Sequence, residues 1–230
     1  MIFQSDPYVT LVASLPAIGL LSEKAPPITR ARLEERLRAL SPEDRAEISA
    51  IGRTLSWEAM DLAAPEPELL ARAGRTIAGL RHADLRGALR DRLEIRTLIA
   101  ALRRRARGEA APVADGPAWG FGPYVERIRA GWALPDFGLG RVFPWASRAR
   151  ELLEAGDHVG MERLALEQAW RAVLRREEGH SFDFEAVAFY VMRWNMADRW
   201  SRYDADAAAA RFQEMLDAAL APAPQTGRAA

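Results

Sequence analysis

Residues 181–220, SFDFEAVAFYVMRWNMADRWSRYDADAAAARFQEMLDAAL, carry the strongest helical periodicity in the chain. Apolar side chains recur there at steps of three and four, which places them in two adjoining rows along an α-helix. The two rows are Phe184, Val187, Val191, Trp194 and Phe189, Met192, Met196, Trp200. A stripe of this width can contact two neighbouring elements at once. We therefore expect this stretch to be the element around which the fold is organised.

The composition describes a folded protein with no strong overall charge. Of the 230 residues, 49% are hydrophobic, and 32 Lys and Arg balance 32 Asp and Glu. A neutral chain has no global field that attracts nucleic acid or anionic lipid. Cysteine is absent, which excludes disulfides, thiolate metal sites and a cysteine nucleophile. No apolar run reaches the roughly 18 residues of a membrane span, so we expect a cytoplasmic protein that meets membranes only through partners.

Capping residues, prolines and glycines divide the chain into helices. Thr29 is expected to cap one helix, and Ser41 followed by Pro42 to begin another that runs to about Leu62. Ser181 or Asp183 is expected to cap the long aromatic helix. The remaining predicted helices cover residues 68–81, 84–107, 123–132, 148–154, 161–176 and, as a separate final helix, 206–220.

The segments between these helices are less regular. Residues 8–15, YVTLVASL, are too few to distinguish a short extended strand from a helical segment. Residues 109–122 are rich in Ala, Gly and Pro and predict a surface loop whose aromatic end, Trp119 to Phe121, docks onto the protein. Residues 221–230 are expected to be a disordered tail. The sequence thus predicts a mainly α-helical fold, with one multi-helix domain over residues 1–220.

No pattern in the sequence predicts a catalytic residue, a cofactor or a metal. The histidines His82, His158 and His180 lie far apart, and none stands at metal-ligand spacing with another. The Asp136–Phe137–Gly138 tripeptide lacks the companion motifs that give it meaning in kinases, and no phosphate-binding loop follows a strand. One alternative remains open: a helical metalloenzyme that uses buried carboxylates around Glu94, Glu162 and Glu185.

Arginine and tryptophan mark the candidate contacts with a partner. The densest basic cluster consists of Arg103, Arg104, Arg105 and Arg107, at the end of a predicted helix where cations also complement the dipole. Trp194, Arg199 and Trp200 are the second group, because Trp and Arg are enriched at binding hot spots. The arginine cluster leaves RNA binding open as a further alternative, although the neutral net charge argues against it.

Several short motifs, in order, resemble a bacterial family of uncharacterised proteins encoded in operons of V-type ATPases. The resemblance covers residues 8 to about 220, and residues 98–108, LIAALRRRARG, also resemble the arginine-rich helix ends of ATPase C subunits. The motifs are Tyr8-x-x-Leu11-Val-Ala-Ser-Leu-Pro16, Leu40-Ser41-Pro-Glu-Asp44, Leu55-Ser-Trp57-Glu58, Asp136-Phe137-Gly138-Leu139, Glu162-Arg163 with Trp170, Phe184-Glu185-x-x-x-Phe189, and Arg199-Trp200 before Phe212 and Leu216.

The resemblance implies an all-helical, non-catalytic subunit that occupies the place of the C subunit, a helical funnel between the central stalk and the membrane rotor. It implies contacts with those subunits, no nucleic acid, and a position at the inner membrane through the ATPase complex. An assembly factor for the same complex is a close variant of this hypothesis.

Overall fold

The computed structural model describes residues 7–19, 25–55, 66–113, 116 and 118–220, with side chains described to residue 203. The described part contains nine helices and no strand, which confirms the predicted mainly α-helical fold. Within it, no helix combines the length and the apolar character needed to cross a membrane. The helices are α1 (Pro7–Ser14), α2 (Arg30–Leu37), α3 (Pro42–Leu55), α4 (Glu66–Gly79), α5 (Ala83–Ala106), α6 (Val125–Ala130), α7 (Ala146–Glu154), α8 (His158–Glu177) and α9 (Phe184–Leu220).

The N-terminal helices begin where the sequence signals predict. The Thr29 side chain accepts a hydrogen bond from the Arg32 amide at the start of α2, and Ser41 Oγ accepts one from the Asp44 amide at the start of α3. Residues 8–14 of this segment are helical, within α1, and Leu15 follows the end of the helix. The predicted extension of α3 to Leu62 and the predicted tail 221–230 lie outside the described residues.

The separate final helix predicted over residues 206–220 is wrong, because α9 runs without a break from Phe184 to Leu220. Its N-cap is Asp183, whose carboxylate accepts a hydrogen bond from the Ala186 amide at 2.8 Å. Residues 203–211 contain no proline or glycine and four consecutive alanines. Alanine has the highest helix propensity, so nothing in this segment ends the helix.

Helix α5 is central because its two halves belong to two different hydrophobic clusters. Leu85 and Leu89 pack in the first cluster with α1–α4, α8 and α9, whereas Leu98 and Leu102 pack in the second with α6, α7 and α8. All four leucines are at most 2% exposed. Each such side chain contributes about 1.5–3 kcal/mol through burial, so α5 joins both clusters to one scaffold.

The aromatic rows of α9 form much of the first cluster. Phe184, Val187, Phe189, Met192, Trp194 and Met196 are at most 5% exposed and Val191 is 8% exposed, which confirms the predicted core stripe. Trp200 is only partly buried at the edge of the cluster. The contact between α9 and α8 follows from this stripe, because an amphipathic helix buries its apolar face against a neighbour.

The loop that follows α5 docks onto the second cluster. Trp119 is 5% exposed and its ring lies edge-on to Trp132, with ring centroids 6.5 Å apart. Phe137 and Leu139 are fully buried, so the Asp136–Phe137–Gly138 tripeptide is a turn with an apolar anchor. Phe137 and Gly138 both have positive φ angles, 55° and 70°. The predicted docking of the Trp119 end is confirmed.

A partly buried ionic network ties α1 and α3 to the start of α5. Asp44 and Glu47 of α3 are 4% and 8% exposed, and both accept hydrogen bonds from the Arg81 guanidinium. The Tyr8 hydroxyl donates to Asp44 at 2.7 Å. Burial opposes the charged form of Asp44, but the hydrogen bonds from Tyr8, Arg81 and Ser41 outweigh it and lower the pKa of this carboxyl.

Candidate functional site

Arginines from α5 and α9 converge on a groove that α8 completes. The groove has a volume of about 180 Å³, and six arginines line it. We call it the arginine groove; its arginines are Arg92, Arg96, Arg103, Arg104, Arg107 and Arg199. Arg92, Arg96 and Arg103 of α5 and Arg107, its C-cap residue, share one helix face because they follow one another at steps of four, seven and four residues. The arginines of residues 92–107 and Arg199 of α9, which lie far apart in the sequence, therefore line the same groove.

Glu162 of α8 is the only acid among the described residues that line the arginine groove. It is 8% exposed and accepts a hydrogen bond from Arg199 Nε at 2.5 Å. One carboxylate cannot neutralise six guanidinium groups. Even with Glu66 and Glu109, which pair with Arg104 and Arg107, six guanidinium groups face three carboxylates, so the groove has an excess of positive charge although the whole chain has none.

Some of the groove arginines have partners of their own. Arg104 pairs with Glu66 at 2.9 Å and Arg107 with Glu109 at 2.6 Å. Arg96 donates to the carbonyl oxygens of Thr54 and Leu55, the last residues of α3. This contact places a cation at the negative end of that helix dipole.

Arg92 and Arg103 differ from these, because no ion pair or hydrogen bond to their side chains is found within the described part of the chain. Arg92 is also 8% exposed. Burial, followed by repulsion from Arg199, lowers the pKa of Arg92 to about 10, with Glu162 acting in the opposite direction. Burial together with Arg92 and Arg199 lowers the pKa of Arg96 to about 9. An anion in the groove would relieve this repulsion.

Four of the seven predicted contact residues lie in the arginine groove: Arg103, Arg104, Arg107 and Arg199. Arg105 does not. Its guanidinium donates to the carbonyl oxygens of Trp132, Leu134 and Pro135, and it lies 4.3 Å from the centre of the Phe137 ring. Arg105 therefore holds the docked loop, and its assignment as a contact residue is replaced by this structural role.

The two predicted tryptophans also lie away from the groove. Trp194 is 1% exposed and its indole nitrogen donates to the Ile28 carbonyl at 2.9 Å. A side chain this deeply buried packs in the core, which argues against direct contact with a partner; the contact through Trp194 stays a prediction. Trp200 is partly exposed and stacks on Tyr203, with ring centroids 6.3 Å apart.

Arg92, Arg96 and Glu162 also belong to this site, although the sequence did not predict them there. The signal that could have found the two arginines is their spacing of seven, eleven and fifteen residues from Arg103 and Arg107, which keeps them on one helix face. No local signal links Glu162 to Arg199, because their contact depends on how α8 packs against α9.

A second group of ionisable side chains forms where the turns before α5 and α9 meet. His180 contacts Asp183 through Nδ1 at 2.8 Å and Asp84 through Nε2 at 3.3 Å. Glu185 contacts His82 at 2.6 Å. The two histidines lie far apart in the sequence, whereas in the structure each of them contacts at least one carboxylate. Spacing along the chain could not reveal this.

A metal ion could be held in this group by His180, Asp183 and Glu185, whose ligand atoms lie within 4.8 Å of one another. Both ring nitrogens of His180 already contact carboxylates, however, which favours a protonated imidazolium that bridges them. Burial opposes this charge, but the hydrogen bonds to Asp183 and Asp84 outweigh it and raise the pKa of His180.

The carboxylates of the metalloenzyme alternative do not form one site. Glu162 pairs with Arg199, Glu185 contacts His82, and the pKa of Glu94 is raised chiefly by burial. In the described residues, the one group of three or more potential metal ligands is the His180 group. Of the three predicted carboxylates, only Glu185 belongs to it.

Comparison with known proteins gives no match to a family model, a curated protein or a solved structure. The fold and the site by themselves define an all-helical protein with an arginine-lined groove. Its function is therefore argued from the geometry of that groove.

Proposed function

We propose that this chain is a non-catalytic binding protein whose arginine groove receives an acidic segment of a partner protein. The observation that carries the proposal is the meeting of six arginines from α5 and α9 around a single acid, Glu162, among the described lining residues. Guanidinium groups bind carboxylates through paired, charge-assisted hydrogen bonds. The unpaired Arg103 and the deeper Arg92 give such a segment two cations without competing partners.

The lining of the groove favours a protein segment over RNA. Its apolar members in the described residues are aliphatic or small: Ile95, Ile99, Ala100, Ala165 and Leu166. Proteins that bind single-stranded nucleic acid generally add aromatic side chains on which bases stack. The net charge of zero also supplies no long-range attraction for a polyanion.

For the partner, we propose the central stalk or the membrane rotor of a V-type ATPase. This part of the proposal rests on the resemblance of the sequence motifs. In this function the chain acts by contact alone, as a C-like or accessory subunit that reaches the membrane through the complex. An assembly factor would use the same groove but would be absent from the finished ATPase.

Affinity purification of the tagged full-length chain from native membranes tests the partner. We expect stalk or rotor subunits of the ATPase in the eluate, and no ATP hydrolysis by the isolated chain. Comparison with the intact ATPase purified through another subunit separates a permanent subunit from an assembly factor. An eluate that lacks every ATPase subunit would refute the proposed partner.

The metalloenzyme alternative can be tested on the same purified protein. It requires a stoichiometric metal ion, for which the His180 group is the site that the described residues offer. Elemental analysis of protein purified without chelators measures this directly. Stoichiometric iron, manganese or zinc would favour the alternative over a protein that acts by contact alone.

A further inference from the structure

A larger cavity of about 770 Å³ lies on the other side of Arg92, between α2, α3, α8 and α9. Its walls are mainly aliphatic; they include Leu33, Leu37, Ile48, Ile51, Val191 and Met192. The volume falls within the range of about 300–1,000 Å³ that is usual for small-molecule sites. We call this the aliphatic cavity. Arg92 and Arg199 line both it and the arginine groove.

The polar lining of the aliphatic cavity is strongly cationic. Among the described lining residues there are six arginines and one acid, Glu34. Four of these arginines are exposed and have partners: Arg30 and Arg202 share Asp198, Arg45 donates to backbone carbonyls, and Arg53 donates to Ser49. Arg199 has Glu162. The sixth arginine is Arg92.

Arg92 is the arginine that points to a ligand. Its side chain belongs to a residue that is 92% buried, and the described part of the chain offers it no hydrogen bond or ion pair. A buried cation without a partner is unfavourable, and proteins pair such groups or use them. The aliphatic cavity therefore combines an apolar wall with a largely buried arginine that makes no hydrogen bond or ion pair within the described residues.

We propose that the aliphatic cavity binds a long-chain carboxylate, with the hydrocarbon chain along α2, α3 and α9 and the carboxylate paired with Arg92. The two oxygens of a carboxylate match the two-pronged donor face of a guanidinium. The chain gains by leaving water for the aliphatic wall. A short anion would gain only the pairing with the guanidinium. An uncharged alcohol would gain only the burial of its hydrocarbon chain.

This inference goes beyond the proposed function. The two sites share Arg92 and Arg199, but each also has lining residues that the other lacks. Arg103, Arg104 and Arg107 line the arginine groove but not the aliphatic cavity. Gly52, Leu37 and Ile48 line the aliphatic cavity but not the arginine groove. Reversal of charge at Arg103 and Arg107 should therefore abolish partner binding and leave binding of the carboxylate unchanged, so either proposal can fail alone.

The test is isothermal titration of the full-length chain with dodecanoate and with dodecanol, both below the concentration at which they aggregate. Two variants probe the two halves of the site. Arg92→Met removes the cation but keeps an unbranched apolar side chain. Gly52→Leu places a side chain inside the cavity, where an added Cβ meets no atom within 4 Å and the helix gains propensity.

Each variant has a control that makes the same substitution on a helix but outside the aliphatic cavity. Arg90→Met removes an exposed arginine from α5, and Gly74→Leu adds the same side chain to a helical glycine of α4 that also has open space around its Cβ. Neither residue lines the aliphatic cavity. Both controls should bind dodecanoate like the wild type.

We expect the wild type to bind dodecanoate at least about tenfold more tightly than dodecanol, as a charge-assisted hydrogen bond implies. Arg92→Met should remove this preference without weakening dodecanol, and Gly52→Leu should weaken both ligands. Absence of dodecanoate binding to the wild type, equal affinity for the two ligands, or an Arg92→Met variant that keeps the preference would overturn the proposal. If Arg92→Met fails to fold, Gly52→Leu against Gly74→Leu decides it.

Discussion

The Nε atom of Arg199 donates a hydrogen bond to Oε1 of Glu162 at 2.5 Å. This pair joins α9 to α8 at the point where the arginine groove and the aliphatic cavity meet. Glu162 also attracts Arg92 and Arg96 electrostatically, since its charge acts to raise the pKa of both. One carboxylate thus serves three guanidinium groups, and its removal should have a measurable effect.

Glu162→Gln should destabilise the protein and make its stability depend on anions. We expect the free energy of unfolding to fall by about 2 kcal/mol. Breaking a fully buried pair costs ~3–5 kcal/mol, and the effect is smaller here because Arg199 keeps access to water. Sulfate should recover part of this loss by binding between the uncompensated arginines. Urea unfolding with sodium chloride or sodium sulfate at matched ionic strength measures both effects.

Glu167→Gln is the matched control for this prediction. Glu167 lies on the same helix and pairs with Arg163 at 3.1 Å in a largely exposed (i, i+4) arrangement. Such pairs contribute only about 0.3–0.5 kcal/mol. If both variants behave alike and neither responds to sulfate more than the wild type, the arginine groove does not concentrate positive charge as described.

Arg81→Met should lower stability by about 3 kcal/mol at neutral pH, because it leaves the buried carboxylates Asp44 and Glu47 without their cation. The pKa of Asp44 is lowered in the folded wild type, so its stabilising contribution exists above the ordinary value of 3.8 and is lost as pH falls through the folded pKa. The difference in the free energy of unfolding between Arg81→Met and the wild type should therefore become smaller below about pH 4. Unfolding curves from pH 3 to pH 7 measure it.

Arg72→Met provides the comparison for Arg81→Met. Arg72 lies on α4 and its pair with Glu68 is exposed, with a separation of 3.7 Å. We expect a change below about 0.5 kcal/mol and no added pH dependence. If Arg81→Met lowers the free energy of unfolding by an equally small amount, the network of Asp44 and Glu47 contributes little to stability.

His180→Gln should destabilise the protein in mildly acidic solution and much less in alkaline solution. The pKa of His180 is raised in the folded state, so its contribution is complete below the ordinary value near 6.5 and is lost as pH rises through the folded pKa. The charges that face His180 are Asp84, Asp183, Glu185 and Glu177. Thermal unfolding at pH 5.5 and pH 9 measures the difference.

The exposed His158, at the start of α8, gives a control variant, His158→Gln, that should show no such dependence. Thermal unfolding with and without zinc at pH 9 distinguishes an ion-paired His180 group from a metal site. Stabilisation by zinc that disappears in His180→Gln would contradict the ion-pair interpretation and support a metal site formed with Asp183 and Glu185.

What the sequence could predict depends on how local the determining interactions are. Thr29 and Ser41 cap helices through contacts three residues away, so their roles follow from the sequence. The core rows of α9 follow from its periodicity in the same way. The prediction of a separate helix from residue 206 is wrong, because the alanines at 207–210 continue the helix.

The site itself depends on contacts between distant parts of the chain. Arg92 and Arg199 come together only because α8 brings α5 and α9 into one layer. The same reason explains the neighbours of Glu185, since His82 precedes it by 103 residues. Composition could locate the arginine-rich end of α5, but it could not show that Arg105 faces the loop and Arg103 faces the groove.

Charge reversal in the arginine groove tests the central claim most directly. The measurement is the amount of partner protein that co-purifies from native membranes with the wild type, with Arg103→Glu/Arg107→Glu, and with the control Arg171→Glu/Arg175→Glu. The control pair has the same (i, i+4) spacing on α8, is exposed, and lies outside the groove. We predict that V-type ATPase subunits are recovered with the wild type and the control and are lost with the groove variant. Equal recovery with all three proteins would contradict the claim that this groove is the binding surface.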